Sequence, residues 1–149
     1  MKRGLTMMEL LISIAILAII LGVWVVKLNP VGQFASSRNS ERSLHLNAIL
    51  NAIRQNVADT RTGIFTCANG DIPTTTKRMA VGAGNYDIAP CLVPNYMNNL
   101  PFDPATSSAR YTSVTDYDTG YTVVKNASTT EITVAAPAAE LGKTIKVTR

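Results

Sequence analysis

Residues 5–26 read LTMMELLISIAILAIILGVWVV, a 22-residue run in which Glu9 is the one charged side chain. At ~1.5 Å of rise per residue such a helix is about 33 Å long, enough to cross a hydrocarbon core of ~30 Å. The basic leader Met1-Lys2-Arg3-Gly4 precedes it. The excess of positive charge on that side places the N-terminus in the cytoplasm and the bulk of the chain outside. A carboxylate near the end of a membrane helix costs several kcal/mol if it is drawn deep into lipid. Glu9 therefore needs a cationic partner, and the run offers none. Another copy of the chain could supply it.

Working outward, the first 26 of 149 residues are leader and span, which leaves 123 for an exterior part. That suffices for one helix and one small sheet with a modest core, and not for two domains. The formal net charge is +4, but without Lys2 and Arg3 the balance is 12 basic against 10 acidic residues. So small an excess is no footprint of nucleic-acid binding, and no basic cluster is interleaved with aromatics. Specific nucleic-acid recognition is not expected.

Three readings of the N-terminus compete. A cleaved secretory signal has an apolar stretch of roughly 7–15 residues ending at small residues; here Leu10–Val26 is unbroken for 17, and Val25-Val26-Lys27 is a poor cleavage site. A plain signal anchor fits the length but leaves Glu9 without a purpose. The third reading rests on Gly4-Leu5-Thr6-Met7-Met8-Glu9, which resembles the class III signal of type IV pilins and pseudopilins. The resemblance is strongest over Arg3–Val26. It continues through Asn29-Pro30 and Arg38-Asn39-Ser40-Glu41-Arg42, and returns at Leu100-Pro101-Phe102-Asp103-Pro104 and Tyr121.

The resemblance implies that a membrane aspartyl peptidase, the prepilin peptidase, cuts between Gly4 and Leu5 and N-methylates Leu5. Leu5 departs from the phenylalanine usual at that position. Glu9 then becomes the fifth residue of the mature chain, paired with the N-terminal amine of a neighbouring subunit, with Thr6 in the same polar pocket. A free α-amino group has a reference pKa near ~8 and is largely cationic at neutral pH. In low dielectric such a pair offsets the cost each charge carries alone. In the competing reading, Glu9 merely reaches back to the headgroups beside Lys2 and Arg3. The implied function is a structural subunit of a type IV pilus-like filament, a homopolymer built by pilus or secretion machinery. The alternative is a pseudopilin of a type II secretion or DNA-uptake system. The precursor is expected in the cytoplasmic membrane, and the product in an extracellular or envelope-spanning filament.

Within the span, Ser13 can bond a carbonyl one turn back, and Trp24 with Lys27 suit the outer headgroup depth. Pro30 either kinks a continuous helix or, with Asn29 as cap, opens a second one. From Val31 to about Asp59 the pattern is an amphipathic helix, with Leu46, Ile49, Leu50, Ile53 and Val57 as the stripe that faces a sheet. Arg38 and Arg42 are assigned to its other faces, and His45 to the surface or to packing.

Cys67 and Cys91 are the only cysteines. In an exported chain such a pair is most often a disulfide, here closing a long loop rich in Thr, Gly, Pro and Asn. Strands are predicted at Tyr111–Val114, Tyr121–Asn126 and Glu131–Ala136, with a short one around Ile145 and Val147, and turns at Asp118-Thr119-Gly120 and Asn126-Ala127-Ser128. Leu100–Pro104 is a rigid lead-in that cannot sit in a central strand. The predicted fold is α+β and pilin-like: a long N-terminal helix, its first half transmembrane, packed on a small antiparallel β-sheet. The divisions are a leader at 1–4, a membrane and filament-core helix at 5–28, and an exterior domain at 29–149 (helix 29–60, loop region 61–108, sheet 109–149).

Asp116 and Asp118, before Gly120, resemble the start of a calcium loop, the one cofactor reading the chain invites. The twelfth position counted from Asp116 is Ala127, where a helix–loop–helix calcium motif needs a bidentate acid. The bland reading is a hairpin turn. With one histidine and both cysteines expected in a disulfide, nucleophile–base pairs are unavailable. A single-pass membrane-anchored enzyme is the remote alternative.

Overall fold

The computed structural model describes residue 4 and residues 6–27, 29–61 and 63–149. The chain divides into two compact units, one through Ala35 and one from Ser36 to Arg149.

The first unit holds helix α1 (Met7–Lys27) and the opening of helix α2 (Pro30–Asp59). Thr6 caps α1: its Oγ1 accepts the Glu9 N–H at 3.3 Å, and its carbonyl accepts from Leu10 N. Ser13 donates its hydroxyl to the Glu9 carbonyl at 2.7 Å, as its position predicts. Gly22 does not interrupt the helix, and residues 7–25 are long and apolar enough to cross a membrane. Of the two roles open to Asn29-Pro30, the cap is the one taken. Asn29 has a positive φ of 39°, its Oδ1 accepts Gly32 N at 3.4 Å, and Pro30 occupies the first helical position, where its missing N–H costs nothing.

In the second unit the rest of α2 lies on a five-stranded antiparallel sheet made of β1 (Lys77–Ala80), β2 (Arg110–Ser113), β3 (Asp116–Lys125), β4 (Ile132–Ala136) and β5 (Ile145–Thr148). The order is β1-β3-β4-β5, with β2 also paired to β3. Leu46, Ile49, Leu50 and Ile53 of α2 are fully buried against Met79, Tyr117, Tyr121, Val123 and Val134 of the sheet. Each such aliphatic side chain contributes about 2 kcal/mol by leaving water. A one-turn helix, α3 (Ala89–Leu92), adds Ala89 and Leu92 to the same core.

Two features differ from the sequence expectation. The stretch at 61–108 contains a strand, β1, whose Lys77 and Arg78 carry no apolar alternation but pair with Val123 and Thr122. Asp118-Thr119-Gly120 is not a turn. The hairpin from β2 closes at Val114-Thr115 instead, and β3 runs on through the triplet. Three residues of β1, Arg78 to Ala80, face five of β3, Thr122 to Asp118, so β3 bulges there. Gly120 makes the bulge possible, with φ +75° and a position where a Cβ would lie 3.0 Å from Cβ of Asp103. The Asn126 turn is as predicted, with Asn126 Oδ1 accepting Ser128 N at 2.9 Å.

Candidate functional site

The candidate processing and assembly residues cluster at the start of α1. Gly4 is exposed and has nothing packed around it. Leu5, the expected mature N-terminus, lies outside the described residues. Thr6 and Glu9 form the first and fourth positions of a Ser/Thr-x-x-Glu capping sequence, of which the Thr6 half is made. Thr6 thus has a local task, fixing where the helix begins and so where Glu9 stands relative to it. Glu9 is exposed, with no ion-pair partner among the described residues of its own chain.

The second unit contains a charge cluster that the sequence reading placed on the helix surface. Arg42 is fully buried. Its Nε and Nη2 donate to the two Asp103 oxygens at 2.8 and 3.1 Å, and its Nη1 donates to Asn39 Oδ1 and Glu140 Oε2, each at 2.8 Å. Asp103 is buried too, and it also accepts Ala105 N and Thr106 N at 2.9 and 3.0 Å. Arg38 clamps Glu140 from the outside with two bonds of 2.7 and 2.6 Å. Asn39 completes the set by exchanging bonds with the Glu140 backbone, 2.8 Å to its O and 3.0 Å from its N. No buried side-chain polar atom lacks a partner among the described residues.

The electrostatics follow from this geometry. Burial alone raises the pKa of the Asp103 carboxyl, but the hydrogen bonds from Arg42, Ala105 and Thr106 and the charge of Arg42 outweigh it, and the net shift is downward. Hydrogen bonds from Arg38 and then Arg42 hold Glu140 at about 2. The bond to Asp103 pushes the Arg42 guanidinium further up. All three groups stay charged, and the cluster rivets α2 to the 100–104 segment and to the β4–β5 connection. Sequence did carry a signal for it. Asn39 and Arg42 lie seven and four residues before Leu46, so both continue the buried stripe of α2 rather than its solvent faces.

Leu100–Pro104 is outside the strands, as expected, and delivers Asp103: its N donates to Thr119 O at 2.9 Å, within the β3 bulge. Tyr121 packs in the core and its hydroxyl meets His45 Nδ1 at 2.9 Å, so the lone histidine has a packing role.

Cys67 and Cys91 form a disulfide with Cα atoms 5.2 Å apart, enclosing β1 within its loop. Asp116 and Asp118, the calcium candidates, lie two apart on β3. Asp116 pairs with Arg110 at 2.6 Å; Asp118 pairs with Arg78 at 2.6 Å and also accepts Gly120 N at 2.9 Å. Each carboxylate is thus engaged by an arginine. Among the described residues no three or more His, Cys, Asp or Glu side chains gather as a metal-ligand set. The two carboxylates make two strand ion pairs, Asp116 with β2 and Asp118 with β1.

Residues 1–25 match the family model of the prokaryotic N-terminal methylation motif, the class III signal peptide of type IV pilins and pseudopilins. No curated protein and no solved structure matches the chain.

Proposed function

We propose that the chain is the membrane-anchored precursor of a structural subunit of a type IV pilus-like filament, cut after Gly4 and assembled through α1. The observation that carries this reading is the methylation motif running straight into a capped, membrane-length helix whose one carboxylate, Glu9, has no ion-pair partner among the described residues. Cleavage creates a cationic amine on Leu5. In the filament, that amine of one subunit meets Glu9 of the next, so that each buried charge is neutralised only by polymerisation. Packing α1 helices together at the fibre centre keeps their apolar surface from water once they leave lipid. The exterior unit forms the outer surface, and the prepilin peptidase and assembly machinery are transient partners.

The test uses the full chain expressed with its assembly machinery. Intact-mass measurement of the filament subunit should show loss of Met1 through Gly4, one added methyl and two missing thiol hydrogens. Glu9→Val should insert into the membrane normally and give little filament. Normal yield from Glu9→Val, or polymerised protein that still carries Met1 through Gly4, would overturn the proposal. Fibre length separates the two family roles: long sheared fibres mark a pilus, short fibres confined to the envelope mark a pseudopilin.

A further inference from the structure

A cavity of about 300 Å³ opens on the second unit between α2 and the sheet edge. Val57, Phe65 and Ile132 give it an apolar floor, and Arg54 and Arg149 stand at its rim. A shallower groove continues from Arg54 and Ala58 along α2 to Asn51 and Gln55. Lys125 and Asp71, also at the rim, neutralise one another. Arg54 is exposed and has no carboxylate partner among the described residues. The site therefore suits an apolar side chain with an acid beside it.

The surface of the same unit offers one such pair. Its exposed large apolar side chains are Leu44, Ile64, Val81, Phe102 and Leu141. Ile64 lines the cavity itself. Phe102 is followed by Asp103, held by Arg42, and Leu141 is preceded by Glu140, held by Arg38 and Arg42. Val81 lies across from the start of β3, where Asp118 is held by Arg78. Leu44, 70% exposed, has Glu41 one turn before it on the same helix face. Among the described residues, the one ion pair Glu41 makes is with His45, at 3.7 Å.

Resting on the filament reading, we propose that the cavity of one subunit receives Leu44 of a neighbouring copy, with that copy's Glu41 carboxylate on Arg54. Donor ridge and acceptor cavity are different patches of one surface. Leu44 and Arg54 are about 15 Å apart along α2 and about 80° apart around it. A contact between unlike patches can repeat in one direction from copy to copy. Where its rotation does not close, it generates an open helical fibre, the symmetry a pilus requires, whereas a closing rotation gives a dimer or ring. The apolar insertion supplies cohesion, and the charge pair supplies register and excludes wrong partners.

Charge reversal tests it in the full chain expressed with its assembly machinery. Arg54→Glu and Glu41→Arg should each cut sheared-filament yield by roughly tenfold, and the combined variant should recover most of the loss. Both positions are exposed, so melting temperatures of the detergent-solubilised variants should equal that of the native chain. In assembled fibres, Leu44→Cys with Ala58→Cys should oxidise to a ladder of covalent multimers, while either cysteine alone should not. Full filament yield from Arg54→Glu, no recovery in the combined variant, or a lowered melting temperature for Arg54→Glu would overturn the pairing and leave the filament reading intact. Dimers from Leu44→Cys alone would show a two-fold contact and overturn it as well. If the native chain itself forms no fibre, the filament reading fails first and takes this inference with it.

Discussion

Replacing Arg42 by methionine tests the buried charge cluster most directly. The substitution keeps much of the aliphatic stem and removes four hydrogen bonds, two of them to Asp103, which is fully enclosed. Breaking a buried ion pair from one side costs about 3–5 kcal/mol, because the other charge is left without compensation. Asp103 keeps the Ala105 and Thr106 N–H donors, so the lower end, about 3 kcal/mol, is expected. That is a large part of the 5–15 kcal/mol typical of a whole domain, and corresponds to a drop in melting temperature on the order of 10–20 °C. The assay is urea and thermal unfolding of the detergent-solubilised chain, disulfide intact, followed by near-ultraviolet circular dichroism of the tyrosines. Adding Asp103→Asn should restore part of the stability, since no buried charge remains and the two backbone donors keep their acceptor. A loss below about 1 kcal/mol for Arg42→Met, the value of an exposed ion pair, would refute the argument and return Arg42 to the helix surface.

Acid should probe the same cluster. An unfolded glutamate takes up its proton near 4.5 whereas folded Glu140 holds out to about 2, and Asp103 is depressed as well. Between those values the unfolded chain binds more protons, so stability is level above pH ~4.5 and declines as pH falls towards ~2; an acid-unfolding curve that is flat in this window, or as steep in Arg42→Met, would contradict the assignment. Gly120→Ala combines a positive φ with a Cβ 3.0 Å from Asp103 and should cost about 2–3 kcal/mol, whereas Gly142→Ala, at φ +65° in open space, should cost about 1 kcal/mol. Chemical denaturation ranks the two, and the reverse order would rule out a packed bulge. Removing both Cys67 and Cys91 should lower stability by about 3 kcal/mol through the freed loop; unchanged melting in reductant would mean that the cross-link constrains nothing.

What the sequence discloses, and what it hides, follows the range of the interactions. The α1 run, the Leu46–Ile53 stripe and strand β4 are legible because each announces itself in local periodicity. The Cys67–Cys91 pair is legible because there are only two thiols to join. Strand β1 is not, since Lys77 and Arg78 owe their extended form to partners more than forty residues away on β3. The triplet Asp118-Thr119-Gly120 has turn composition, yet its glycine serves a bulge that only the approach of Asp103 explains. Arg42 was hidden by its charge: a buried guanidinium makes sense only once Asp103 and Glu140, 61 and 98 residues later, are known to meet it. The helical spacing from Arg42 to Leu46 carried the hint, and residue type overrode it.

The long reach of that guanidinium bears on the order in which the second unit can close. Arg42 emerges early, Asp103 later, and Glu140 close to the last of the 149 residues. Until the 100–104 segment is in place, α2 carries a bare cation on the face meant for the interior, and until the β4–β5 connection follows, Nη1 of Arg42 lacks its Glu140 acceptor. Final closure of the second unit therefore waits for the connection that carries Glu140. A chain cut short before Glu140 would leave Arg38, Asn39 and one nitrogen of Arg42 without their acceptors on that residue.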